Sequence, residues 1–353
     1  MIENQGRASQ NTSFFRPSRH RFSEAIAIFA LLLLVGTFQS LDAFPGKIKY
    51  QIRFDEAQVI TLAFAEEGQR LITGHADGTL AVRDASTGQA VRSFRAHKGR
   101  VYQLAAQING SLLATGTLGK DAIKLWDAKS GELIASLSTY DETFGLAFSE
   151  DGAYLVCSGA SGGFTTLDLW DLRSKKLIRT LGRFRVDDFV PGRILFSRDS
   201  ARIIVSAQNR LHGIHIWAVA GQKLKTIPYN DDIISMSLHR NDTIAVGGTF
   251  GSKVVVFDLN SGQVLRTMSG HKGHITSVAA VDENHSISVS YKKDPTGPFI
   301  IWDIRTGQKV GTAKEEIASV SEVAVNPANG NIALALTTFG NLGNPTTLVV
   351  YGD

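Results

Sequence analysis

The chain has 353 residues, 37 basic against 33 acidic side chains, 34 glycines, 8 prolines and one cysteine, Cys157. With 43% apolar and 20% charged residues it can bury a sizeable core, which excludes a disordered tail. A lone cysteine excludes an intramolecular disulfide and any multi-cysteine zinc or iron–sulfur site, and a net charge of +4 is too slight by itself to argue for nucleic acid.

Residues 1–43 differ in kind from the rest. A polar lead with Arg7, Arg16, Arg19 and Arg21 precedes an uncharged apolar run of 14 residues, Ala25 to Phe38. As a helix the run would span about 21 Å, short of the roughly 30 Å hydrocarbon core. It is therefore expected to be a cleaved secretory signal, with Leu41-Asp42-Ala43 as the cleavage site; an uncleaved signal anchor, favoured by the long polar lead, is the alternative. In both cases the arginines hold the leading end in the cytoplasm, and the remainder is exported to the periplasm or beyond the cell. No cysteine follows the run, so a bacterial lipoprotein anchor is excluded. Residues 44–353 carry 33 basic and 30 acidic side chains and form the second, folded domain.

The stretch KIKYQIRF (47–54) alternates like a strand but has no partner of its own. Beyond it the chain repeats. Leu62, Leu104, Leu146, Ile194, Met236, Val278 and Val323 occupy equivalent positions at intervals of 42, 42, 48, 42, 42 and 45 residues. Each is followed by a polar turn and a second β-rich run, such as RLITG, LLATG or YLVCS. A third run ends in a bulky residue, usually followed by Asp: Arg83-Asp84, Trp126-Asp127, Trp170-Asp171, Trp217-Ala218, Phe257-Asp258, Trp302-Asp303 and Tyr351-Gly352. A turn of the form Asp-x-x-Ser/Thr-Gly-Gln/Glu then leads to a fourth run. Four strands in a period of about 44 residues make a propeller blade, so the expected fold is all-β, a seven-bladed β-propeller of four-stranded antiparallel blades. The seventh repeat stops after its third run, and residues 47–54 are expected to supply its missing outer strand and close the ring.

Residues 47–353 resemble the WD-repeat β-propellers, on the seven-fold period and the Trp-Asp pairs Trp126-Asp127, Trp170-Asp171 and Trp302-Asp303 at one phase. The family's Gly-His landmark survives as Gly270-His271 and, with Ala for Gly, as Ala96-His97. The resemblance implies a structural tetrad of His97, Thr115, Asp121 and Trp126. Blade one keeps Thr73 and Asp77 but has Arg83 in place of the Trp.

No catalytic set emerges. The pairs His212/His215 and His271/His274 have a three-residue offset, which on a strand sends the side chains to opposite faces. Neither a glycine-rich phosphate loop nor a strand–turn–helix nucleophile elbow is present, and Cys157, on a second strand, reads as a small core residue. The repeat places no cluster of ligands at the central channel, so no metal or cofactor is expected. Basic residues cluster in Arg173, Lys175, Lys176, Arg179, Arg183, Arg185, Arg193, Arg198 and Arg202, interrupted by Asp187 and Asp188. They read as solvated outer-strand positions, with an acidic partner or an anionic membrane surface as the sharper alternative; without interleaved aromatics, nucleic acid is not expected.

The links between second and third strands vary most, as SGASGGFTT in blade three, YKKDPTGPF in blade six and TTFGNLGNPTT in blade seven. They share one face with the loops leading into each blade. That face offers Lys98, Arg100, Phe164, Asp231, Asp232, Lys272, His274, Tyr291, Pro298 and Phe339, aromatic anchors among charges, as a protein interface uses. Because WD-repeat propellers generally serve as scaffolds, the resemblance implies a non-enzymatic module for a protein or peptide partner. The module is expected to be monomeric and to touch a membrane only through an uncleaved leader. The alternative is an exported propeller enzyme of lactonase or quinoprotein type.

Overall fold

Seven blades form in the order of the repeats. The computed structural model describes residues 47–55, 57–239, 242–291, 299–312, 319–337 and 345–352. Among these there is no α-helix, only the single 3-10 turns Glu66–Gly68 and Asn209–Leu211, and no helix long and apolar enough to cross a membrane. The leader, residues 1–43, lies outside the described residues.

Blade one sets the pattern, with Val59–Ala65 innermost, then Arg70–His75, Thr79–Asp84 and Ala90–Arg95, each antiparallel to the last. Blades four, five and six repeat it over 190–228, 233–269 and 275–312. Blades two and three merge into one seven-stranded sheet, because the 16-residue strand Leu133–Phe148 serves both. Its first half pairs with Leu118–Asp127 as the outer strand of blade two, and its second half with Tyr154–Ser161 as the inner strand of blade three.

The period-two pattern buries side chains from both faces of every blade, since each blade is sandwiched between two others. The apolar core accordingly divides into seven clusters, one at each contact between consecutive blades. One of them joins blade seven to blade one, through Ala333, Ala335, Leu348 and Val350 against Leu62, Phe64 and Leu71. The ring is therefore closed by packing as well as by hydrogen bonds. Lys47–Phe54 pairs antiparallel with Thr346–Gly352 as the outer strand of blade seven, so the two ends of the chain complete one sheet.

One expectation from the sequence is overturned. The segment SGASGGFTT of blade three is not a long loop: Tyr154–Ser161 and Phe164–Asp171 continue as strands to the two-residue turn Gly162-Gly163. Both glycines have positive φ, 58° and 80°, which a tight hairpin turn requires.

Candidate partner-binding face

The start of each first strand lies opposite the end of the second, as in Ile233↔Thr249 and Ile275↔Ser290. Loops leading into a blade and links between its second and third strands therefore share one end of the blade. Lys98 and Arg100 sit on the loop into blade two, Asp231 and Asp232 on the loop into blade five, and Lys272 and His274 on the loop into blade six. Phe164 opens the third strand of blade three, and Tyr291 follows the second strand of blade six. Phe339 and Pro298 lie outside the described residues.

Of these, the structure brings four together, around a residue that the sequence reading overlooked. Phe250, His274 and Tyr291 stack, with ring centroids 5.1 Å and 5.0 Å apart and interplanar angles of 9° and 20°. The backbone of the acidic pair fixes the end of the stack: Phe250 N donates to Asp232 O at 2.9 Å, and Gly251 N donates to the Asp231 carboxylate at 2.9 Å. Asp232 also takes the Asn209 N–H and His212 Nδ1, each at 2.8 Å, tying blade four to blade five. A hollow of about 320 Å³ opens beside Asp231, lined by Pro228, Tyr229 and Asn230. Phe250 was legible all the same. It is the first residue past the second strand of blade five, the phase of Tyr291 in blade six. Phe164 stands apart, covered by the Arg183 guanidinium 4.3 Å from its ring centroid.

The apolar surface of this face is periodic. Leu118, Phe164, Leu211, Phe250 and Tyr291 are between 37% and 60% exposed, and they lie in the second-to-third-strand links of blades two to six or on the first residue of the third strand, one per blade. Among the described residues, the other large apolar side chains that stay exposed all lie on outer strands.

At the tetrad positions of blade two, His97 Nε2 is 2.8 Å from Thr115 Oγ1 and Nδ1 is 2.9 Å from Asp121. Trp126 Nε1 donates to the same Thr115 oxygen at 2.9 Å. Blade six repeats the core of this arrangement with His271, Ser288 and Trp302. In blade one Arg83 takes the Trp position and reaches Thr73, which also meets His75. Asp77 instead caps Thr79. In blade three Tyr140 takes the place of the His and donates to Asp168, while Cys157 takes the place of Thr115 and leaves Trp170 Nε1 buried without a partner among the described residues. Burial pushes the Cys157 thiol well above its ordinary range, and Asp168 adds to this.

The four histidines of the spaced pairs face different surroundings: His212 an aspartate, His215 the Leu211 carbonyl, His271 a serine, His274 the aromatic stack. Among the described residues no three His, Cys, Asp or Glu side chains converge as a metal would need. The channel nevertheless holds charge that the repeat arithmetic overlooked. Glu322 and Arg193 stand on the inner strands of blades seven and four, which are not neighbours in the ring, yet their side chains approach to 3.9 Å. The pair therefore reaches across the central space. Burial raises the Glu322 carboxyl, against the opposing pull of Arg193 and of the Ser277 hydroxyl, which donates to it at 2.9 Å.

The family models of the WD domain, G-beta repeat, and of the anaphase-promoting complex subunit 4 WD40 domain match residues 88–127 and 46–105. The serine-threonine kinase receptor-associated protein of Rattus norvegicus is 24% identical over 303 residues, 72% of this chain and 82% of that protein. Autophagy-related protein 16 of Arabidopsis thaliana is 25% identical over 236 residues; the match takes in 66% of this chain but only 43% of that protein's length. WD repeat-containing protein 55 of Arabidopsis thaliana is 23% identical over 169 residues, 47% of this chain and 46% of that protein.

Proposed function

We propose, from the premise that the chain is a seven-bladed WD-repeat β-propeller, that it is a non-enzymatic scaffold which holds a protein partner on the face carrying Phe250, His274 and Tyr291. The observation that carries this reading is the exposed apolar residue repeated once in each of blades two to six on that face, where three of the aromatic rings stack, Phe250 with His274 and His274 with Tyr291. Rigid aromatic anchors among polar neighbours lose little conformational entropy on docking and exclude water from the contact. A relative named for its association with a receptor kinase is in keeping with such a role. Crosslinking and pulldown with the double variant Phe250→Ala/Tyr291→Ala tests it. A specific partner held by the parent should be lost about tenfold or more, with the melting temperature unchanged. Retention of that partner by the variant would place binding elsewhere.

The propeller is exported in this proposal, either released by cleavage or held by residues 25–38. The support is the arginine-led apolar run alone, with Cys157 as a buried thiol that no disulfide chemistry would reach. N-terminal sequencing of the protein recovered from the cell envelope decides between the two forms. Full-length chain recovered only from the cytoplasm would refute export.

A further inference from the structure

The outer strand of blade three, Lys176–Arg185, has 10 residues. Those of blades one, four, five and six have 6, 6, 7 and 4. Its ladder to Phe164–Asp171 occupies one side, and no described strand pairs with the other. Residues 173–185 contain Arg173, Lys175, Lys176, Arg179, Arg183 and Arg185 and no acidic residue. Arg179 is engaged, donating to the Ala220 carbonyl of blade four. The other five are exposed, and among the described residues none forms an ion pair with a carboxylate, although Arg183 covers the Phe164 ring and Arg173, behind the Ser174 hydroxyl, helps to lower the Asp171 carboxyl. Leu177 and Ile178 lie exposed between them.

We propose that this edge is a docking strand for an extended acidic segment of a partner protein, which joins blade three as a fifth strand. An open edge presents unpaired N–H and C=O groups that a further strand can satisfy. The cations repel a second copy of the same edge, yet each gains a cross-strand partner when the added strand carries carboxylates. Leu177 and Ile178 supply apolar contact to the alternate side chains of that strand. The charges also lie on both sheet faces. By register Lys176 shares the face of Asp171, while Arg183 and Arg185 share the opposite face with Thr166 and Phe164. A flat anionic membrane would meet only one of these sets, whereas a strand added edge-on lies between them.

The test titrates the full chain with a capped peptide of alternating Glu and Val, and with a Lys–Val control. Binding is read by fluorescence anisotropy and by hydrogen exchange. The Glu–Val peptide should bind and slow exchange of amides within 177–185, and the control should not. Lys176→Glu/Arg183→Glu/Arg185→Glu should weaken binding about tenfold or more while melting like the parent. If that variant melts lower, Arg183→Gln/Arg185→Gln replaces it, with a weakening of at least severalfold expected. The Phe250→Ala/Tyr291→Ala variant should bind the peptide as the parent does, which separates this edge from the loop face. Undiminished binding by the charge variants, binding with no new amide protection, or preference for phosphatidylserine vesicles over the peptide would each overturn the proposal.

Discussion

Thr115 shows how much one position in the repeat decides. Its hydroxyl joins His97 and Trp126, so the loop into blade two and two of its strands meet at one buried oxygen. The registers place Thr73, Thr115, Cys157, Val205, Gly247, Ser288 and Leu334 at this point of successive blades. Where the residue carries a hydroxyl, a histidine is hydrogen-bonded to it; where it does not, aromatic or apolar packing takes over, as with Phe189 against Trp217 or Tyr229 against Phe257. Thr115→Val leaves two buried polar groups without their shared partner and should cost about 2–4 kcal/mol in urea unfolding. Cys157→Thr offers Trp170 Nε1 the acceptor it lacks and should gain about 1 kcal/mol. Equal stability of Cys157→Thr and the parent would mean that Trp170 is not limited by that missing bond.

The same economy holds for turns and strands. Asp84, Asp127, Asp171 and Asp258 each accept backbone N–H groups two or three residues on, which sets the turn into the fourth strand. Glycine follows at φ near 75° in blades one, two, five and six, but Lys175 occupies that left-handed place in blade three, where a side chain is strained. Fourth strands reach across to these turns. Arg92 donates to Lys129 O at 3.1 Å, Lys225 to Leu259 O at 3.2 Å, Arg179 to Ala220 O, and Tyr50 of the closing strand to Ala85 O at 3.1 Å. Of the basic cluster, Arg179 is thus a latch between blades, and it recurs at one register with Arg92 and Lys225 of other blades. Hydrogen bonds lower the turn carboxyls: the Ser86 hydroxyl brings Asp84 down to about 2, and the Ser130 N–H lowers Asp127. Their contribution is complete above the ordinary carboxylate value of about 4 and is lost as pH falls toward 2. Burial lowers His75, His97, His215 and His239, with His215 at about 4, so their share begins to fall below about 6.5. Raised Glu322 works in the opposite sense, relieved as pH drops. Urea midpoints should therefore decline gently from pH 7 to 5 and steeply below 4. Asp84→Asn should flatten the second decline, and an unchanged acid limb would refute the role of the turn.

At the scale of the whole ring, stability depends on a strand supplied by the beginning of the fold. Without Lys47–Phe54, blade seven would lose its outer strand, the Tyr50 latch and the cover that Tyr50, Ile52 and Phe54 give the core between blades seven and one. Deleting Lys47–Arg53 should abolish cooperative thermal unfolding; a deletion variant that melts like the parent would show that the remaining six inter-blade cores suffice. The Arg193–Glu322 pair is also a property of the ring, since only closure brings blades four and seven within reach of each other.

The repeat made the blades, their number and the closing strand legible, because a fixed phase of apolar residues and Asp-Gly turns encodes each blade locally. It also placed Phe164, Asp231, Asp232, His274 and Tyr291 on one face, since antiparallel register alone puts the links and the lead-in loops at the same end. What the tertiary structure decided is which of these touch. The stack with Phe250, the latches from Arg92, Arg179 and Lys225, and the pair across the channel each join different blades. Such contacts depend on the angle and distance between neighbouring sheets, which the packing of seven buried cores fixes and no single repeat contains.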